Sequence, residues 1–154
     1  PLRLPARQMA MKITPHFSLS EFDRPARRGF PASPYPARWI ESRLRPLAEL
    51  LEVIRGRVDC PIVVLSAWRE LAYNRAIGSL DTSQHVQGRA GDIVAPEMRT
   101  ITLHAEILAL YRDGTLRGRP TRLGGLGDYG SAFVHVDTRP GTRLARWRGS
   151  RTAT

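Results

Sequence analysis

The chain has 154 residues, of which 42% are hydrophobic and 25% charged, and this size and composition predict a single soluble domain with one core. Lys and Arg outnumber Asp and Glu by 24 to 14, and the net charge of +10 favours an anionic partner such as nucleic acid, acidic lipid or a bacterial wall. The single cysteine, Cys60, excludes an internal disulfide framework and cysteine-rich zinc sites, and the short apolar runs exclude a membrane-spanning helix.

Both ends of the sequence are rich in Arg, Pro, Thr and Gly and lack apolar periodicity. We therefore expect flexible basic tails over residues 1–15 and 140–154, with the folded domain over residues 16–139. The first tail contains no continuous apolar segment of signal-peptide length. The expectation is a protein made in the cytoplasm, without a signal peptide or stable membrane insertion.

Two long helices are predicted from apolar side chains that recur at helical spacing. The first runs to about Ile54, where Pro46 should start or kink it and Gly56 should end it. The second follows Thr100, which should cap it, and Gly114 should terminate it.

Short runs rich in β-branched and aromatic residues predict four strands. They lie at Pro61–Ser66, Arg89–Val94, Arg122–Gly127 and Phe133–Thr138, with a short helix at residues 70–77. Most of the connections are loops and hairpins rather than regular crossover helices. The sequence therefore predicts an α+β domain with a small, mostly antiparallel sheet and flanking helices.

The segment from Ser83 to Asp92 has the highest density of groups able to bind a metal. His85 and Asp92 lie seven residues apart in it, and neutral imidazole and carboxylate are both common zinc ligands. A catalytic zinc needs a third protein ligand. Among the other histidines His135 is the best candidate, because strand alternation puts it on one face with Asp137 and opposite the apolar face. On spacing alone, ordinary structural roles for these residues stay open.

Several segments in order resemble a family of zinc peptidases. Residues 83–92 match a Ser-x-His-x-x-Gly-x-Ala-x-Asp signature, residues 66–69 a Ser-x-x-Arg segment, and residues 124–138 a closing GGxGxY…FxHVDT pattern. These motifs resemble the zinc D-alanyl-D-alanine carboxypeptidase and peptidoglycan endopeptidase superfamily, which includes the hedgehog fold, and in particular its small phage and bacterial lysin-type members. The resemblance covers about residues 16–139 and implies a hedgehog-like fold.

The resemblance also implies roles for individual residues. His85, Asp92 and His135 correspond to the metal ligands, so Zn²⁺ is the expected cofactor. Arg69 corresponds to the arginine that holds the terminal carboxylate of the substrate or orients its carbonyl, although it could instead be a strand-end arginine paired with a surface acid. Ser83 is expected either to hydrogen-bond within the site or to shape its loop.

The general base is the one part of the family pattern that is missing. Many peptidases of this superfamily carry Glu or Asp three residues before the last histidine, where this sequence has Ala132. The nearest substitutes are Asp137, on the same strand face as His135, and Asp128 or Tyr129 in the preceding turn. Asp137 is the first choice as base, and orienting a zinc ligand is an equally good role for it. Asp128 could equally be a turn residue.

The expected function is zinc-dependent hydrolysis of peptide bonds in peptidoglycan stem peptides or cross-links, by a monomer that reaches the cell wall from a phage particle or by another route. The alternative is a non-catalytic, zinc-stabilised wall-binding domain on the same scaffold, because Ala132 removes the usual base. No nucleic-acid partner is expected, because the Arg residues are scattered and concentrated at the tails, without an aromatic platform or a basic helical stripe.

Overall fold

The computed structural model describes residues 11–23, 29–31 and 33–150, and this part of the chain forms three α-helices and seven strands. The helices are α1 (Arg45–Val58), α2 (Leu71–Ala76) and α3 (Thr100–Arg112), with turns of 3-10 helix at Leu19–Glu21 and Ala37–Trp39 and a π-helical turn at Ile40–Leu44. The strands are β1 (Lys12–Thr14), β2 (Phe17–Ser18), β3 (Val63–Ser66), β4 (Ala90–Val94), β5 (Gly125–Asp128), β6 (Val134–Asp137) and β7 (Ala145–Arg148).

Five of the strands form one sheet in the order β3-β4-β6-β5-β7. Every neighbouring pair is antiparallel except β5 and β7, which run parallel. Strands β1 and β2 make a separate two-stranded ribbon that lies against α1. The predicted class, a single α+β domain with a mostly antiparallel sheet, is confirmed.

The two faces of the large sheet have different chemistry because side chains alternate along each strand. Ile93, Leu126, Val134 and Val136 are fully buried on the face that packs towards the helices, and α3 contacts both β5 and β6. Helix α1 packs on α3 and completes the core with five buried side chains. The other face carries Asp92 and His135, so these two candidate ligands are fixed by strands whose opposite side is held in the core.

Helix α1 ends later than the sequence prediction. Pro46 occupies its second position, as expected for a helix start, but Gly56 lies within the helix. The end is at Asp59, whose φ of 52° is left-handed and whose amide donates to the carbonyl of Arg55. An interior glycine costs about 1 kcal/mol relative to alanine. The apolar face of α1 is completely buried, and we attribute the continuation of the helix past Gly56 to that packing.

The predicted cap of α3 is also wrong. Arg99 occupies the cap position, and Thr100 is the first helical residue. The hydroxyl of Thr100 donates a 2.6 Å hydrogen bond to the carbonyl of Gly130 instead, which ties the helix to the β5–β6 turn. Gly114 follows the helix with a φ of 95°, and its amide donates to the carbonyl of Tyr111, as the terminator prediction requires.

The expected tails contain two strands. Lys12–Thr14 pairs with Phe17–Ser18, and Ala145–Arg148 pairs with β5 at the edge of the large sheet. Sequence composition did not reveal β7, because its arginines alternate with only one large apolar residue and the partner strand supplies its hydrogen bonds. The rest of the predicted tails, residues 1–10 and 151–154, lies outside the described residues.

Across the described residues, none of the helices is both long enough and apolar enough to cross a membrane.

Candidate metal centre

The candidate ligands meet on the open face of the sheet. Asp92 on β4 and His135 on β6 are direct partners in the strand register, and His85 comes from the loop that leads into β4. All three side chains are buried, and one ligand atom of each lies within 4.8 Å of the others. The structure therefore brings together the three residues that the resemblance assigned as ligands.

The ring of His85 is oriented by a backbone carbonyl. Its Nδ1 lies 2.7 Å from the carbonyl oxygen of Ala67, which can only accept, so we assign the proton to Nδ1. Burial lowers the pKa of His85, which keeps the ring neutral near pH 7. Its Nε2 is then an acceptor, 3.1 Å from Oδ1 of Asp92.

The ring of His135 is oriented from the other side by a carboxylate. Its Nε2 lies 3.0 Å from Oδ2 of Asp137, and its Nδ1 lies 3.0 Å from Oδ1 of Asp92. Burial lowers the pKa of His135, but its hydrogen bonds with the two carboxylates outweigh burial and raise that pKa overall. In the neutral ring, a proton on Nε2, facing Asp137, leaves Nδ1 as the ligand atom.

These donors fit a metal ion. With the two tautomers assigned above, Nε2 of His85, Nδ1 of His135 and Oδ1 of Asp92 are three converging acceptors, an arrangement that is favourable when a cation lies between them. Two imidazoles and one carboxylate are a ligand set of catalytic zinc sites, and hydrogen bonds that fix the far ring nitrogens are the usual support for such ligands.

Asp137 is buried against the candidate ligand His135 and is not exposed to solvent. Its side chain has no exposed surface, and its carboxylate accepts hydrogen bonds from the amide and the guanidinium of Arg139 as well as from His135. Burial raises the pKa of Asp137, but these hydrogen bonds outweigh it and lower the pKa to about 2. The carboxylate passes over Gly125, where a Cβ would overlap it.

Arg69 is held against the ligand set. Its Nη2 donates to Oδ2 of Asp92 at 2.9 Å and its Nε donates to Ser66 Oγ at 3.0 Å. The alternative in which Arg69 pairs with a surface acid does not describe this geometry, because its partner is the buried Asp92.

Burial raises the pKa of Asp92, and the neighbouring histidines more than offset this, so the pKa lies well below its usual range.

A groove of about 540 Å³ opens over these residues. Arg69, Ser83 and Tyr129 line it together with the three candidate ligands. The hydroxyl of Ser83 also accepts a 3.3 Å hydrogen bond from the amide of His85.

The other predicted proton carriers lie elsewhere. Asp137 is not part of the groove lining. Asp128 accepts a hydrogen bond from the amide of Gly130, pairs with Arg148 and lines two neighbouring depressions. Tyr129 is thus the one of the three predicted substitutes for the base that reaches the groove.

The groove residues that sequence reasoning did not predict include Arg139 and Trp147. Arg139 sits two residues after Asp137 and pairs with it. Trp147 belongs to β7, within the segment expected to be a tail. The signal that could have indicated it is the spaced glycines of the β5 motif, because Gly127 leaves space for the Trp147 ring.

A small α+β domain with a buried His-Asp-His cluster at the base of a groove is typical of metal-dependent enzymes. The Peptidase M15 family model matches residues 15–137, which is most of the chain. The chain therefore belongs to the Peptidase M15 family, whose members are metal-dependent peptidases. No curated protein sequence matches the chain.

Proposed function

We propose that this protein is a zinc peptidase that hydrolyses peptide bonds in the stem peptides or cross-links of peptidoglycan. The observation that carries the proposal is the convergence of His85, Asp92 and His135, each oriented by a second contact, at the base of an open groove. Membership of the Peptidase M15 family supports the reaction class. The substrate class rests on the resemblance of the motifs to peptidoglycan-cleaving members.

His85 through Nε2, Asp92 through Oδ1 and His135 through Nδ1 would hold the zinc. A bound zinc ion acidifies water and polarises a carbonyl oxygen, which is the chemistry that amide hydrolysis requires. Asp137 accepts the Nε2 proton of His135 and so keeps that ring in the ligating tautomer. We assign Asp137 this orienting role rather than that of the base.

The remaining groove residues act on the substrate. Arg69 offers a fixed positive charge for a substrate carboxylate or for the carbonyl oxygen of the scissile bond. Tyr129 donates its hydroxyl proton to the leaving amide nitrogen as the C–N bond breaks, and its phenolate oxygen takes up the proton that the attacking water gives up. Ser83 holds the loop that carries His85, through its hydrogen bond to the His85 amide.

The charge of the whole chain suits the proposed substrate. With a net charge of +10, the protein is attracted to an anionic wall, and this attraction should weaken as salt is added. We propose that it acts as a monomer, on the cell wall, delivered by a phage particle or by another route.

The second candidate function is a metal-stabilised wall-binding domain without activity. One observation favours it: of the described residues that line the groove, Asp92 is the single carboxylate, and it is already a candidate ligand. A peptidase then depends on Tyr129 for proton transfer, whereas a binding domain needs no proton carrier.

Digestion of purified peptidoglycan separates the two functions. The zinc-loaded protein is expected to release new amino termini and carboxylates, and mass spectrometry of the muropeptides identifies the bond. His135→Ala should abolish this release, because it removes one ligand, whereas His16→Ala should cleave like the wild type, because His16 pairs with Glu52 away from the groove. If zinc-loaded wild-type protein binds the wall but releases nothing beyond the His135→Ala level, the peptidase is rejected in favour of the binding domain.

A further inference from the structure

Strand β7 lies beyond the residues that the family model matches, yet it delivers a side chain to the groove. In the strand register, Trp147 is the partner of Gly127, Gly127 is the partner of His135, and His135 is the partner of Asp92. These four residues form a row across the sheet. Partners in a register project to the same face, so Trp147 shares the face of the ligands.

Gly127 allows the indole of Trp147 to lie across β5. A Cβ at this glycine would be 2.8 Å from Cε2 and Nε1 of the indole, closer than packed atoms approach. With no side chain in the way, the indole reaches His135, and the two ring centroids are 5.0 Å apart at an interplanar angle of 55°. The guanidinium of Arg139 lies 5.1 Å from the indole centroid on the same wall.

The indole also holds the hydroxyl of Tyr129. Nε1 of Trp147 donates a 3.1 Å hydrogen bond to that hydroxyl oxygen, and the phenol ring is stacked on Phe133 with centroids 4.5 Å apart. A hydroxyl that accepts from an indole keeps its own proton for another acceptor. Because Tyr129 lines the groove, that acceptor can be a bound substrate.

We propose that Trp147 is a positioning residue for the peptidase reaction, which fixes the hydroxyl of Tyr129 as a hydrogen-bond donor to the substrate amide. This rests on the proposed function. The indole N–H sets the direction of the phenol and stabilises negative charge that grows on its oxygen as the proton is donated. The contact between Trp147 and His135 ties this donor to the ligand row.

A double-mutant cycle on the zinc-loaded full chain tests the coupling. Tyr129→Phe should lower kcat by about 10- to 100-fold with little change in KM, since one transition-state donor is lost. Trp147→Phe keeps an aromatic ring beside His135 but removes the N–H, and it should lower kcat by roughly 5- to 10-fold, in line with one hydrogen bond. In the Tyr129→Phe background, Trp147→Phe should change kcat by less than about 2-fold, because the group it acts through is gone.

A purely structural role predicts a different pattern. Trp147→Phe would then cost the same in both backgrounds, and that result overturns the proposal. Zinc stoichiometry and thermal unfolding are measured for each variant, and Trp39→Phe is the matched control, because Trp39 packs on Trp68 and is not part of the groove lining. Equal losses in Trp147→Phe and Trp39→Phe also overturn the proposal.

A binding readout separates this inference from the proposed function. If the wild type holds zinc but cleaves nothing, the peptidase fails, and the same cycle is run by calorimetry on a synthetic stem peptide. A loss of affinity in Trp147→Phe that disappears in the Tyr129→Phe background then retains Trp147 as the positioning residue of a binding site. Additive losses, or no binding by the wild type, overturn it.

Discussion

At the scale of single residues, the position of Asp137 determines its role. Its carboxylate has no exposed surface and is held by His135 and by Arg139. A base must reach the water that it deprotonates. A carboxylate that accepts a hydrogen bond from the far ring nitrogen of a metal-binding histidine acts through that histidine instead. We therefore expect the effect of Asp137 on the reaction to pass through metal binding.

Asp137→Asn should weaken zinc binding by about 10- to 100-fold, the usual cost of losing such a partner, while the protein stays folded. The neutral amide keeps the shape of the side chain but no longer favours the ligating tautomer of His135. Competition with a zinc-binding dye measures the affinity. Asp128→Asn is the matched control, since Asp128 lies outside the groove lining, and an affinity in Asp137→Asn equal to that of this control would contradict the orienting role.

At the scale of elements, the packing of β7 on β5 depends on the absence of a side chain at Gly127. Trp147 packs where a Cβ of residue 127 would be, so this contact belongs both to the edge strand and to the groove wall. Gly56, by contrast, is exposed within α1 and has nothing within 4 Å of a Cβ position. The same substitution should therefore have opposite signs at the two sites.

Gly127→Ala should destabilise the fold by about 1–3 kcal/mol, because the indole must move from a packed position. Gly56→Ala should stabilise it by about 0.5–1 kcal/mol, because alanine has less freedom to lose in a helix. Urea unfolding measures both free energies, and the indole N–H resonance of Trp147 should shift only in Gly127→Ala. Equal stability of Gly127→Ala and the wild type would show that the Trp147 packing is not tight.

At the scale of the whole molecule, the candidate site couples metal binding to stability. The three candidate ligands come from β4, β6 and the loop before β4, so they converge only when the sheet is formed. A ligand that binds the folded state alone stabilises it by mass action.

At a free zinc concentration about 1,000 times the Kd, the gain is about 4 kcal/mol, which raises Tm by about 10 °C for a chain of this size. A chelator should reverse the shift. His85→Ala should show neither the zinc-induced gain nor the chelator-induced loss, while His16→Ala should show both. The result that would exclude this site is a zinc-dependent shift of Tm that persists in His85→Ala.

Parts of the fold followed from local patterns. The apolar spacing of α1 and the β-rich run of β3 predicted the types of these elements correctly, because each element buries one face whatever its neighbours are. The end of α1 did not follow, since packing carried the helix past Gly56 to Val58. Strand β7 was missed for a related reason: its hydrogen bonds depend on β5, which is distant in sequence and runs parallel to it.

The sequence by itself indicated the composition of the candidate site, because the segments around His85, Asp92 and His135 are local motifs that match a family pattern. The tertiary structure alone decided what surrounds that site. It placed Asp137 against the candidate ligand His135, Asp128 outside the groove and Trp147 within it. Which face of a sheet a side chain meets, and which partner it finds there, depends on strand register, and register is fixed only when distant strands pair.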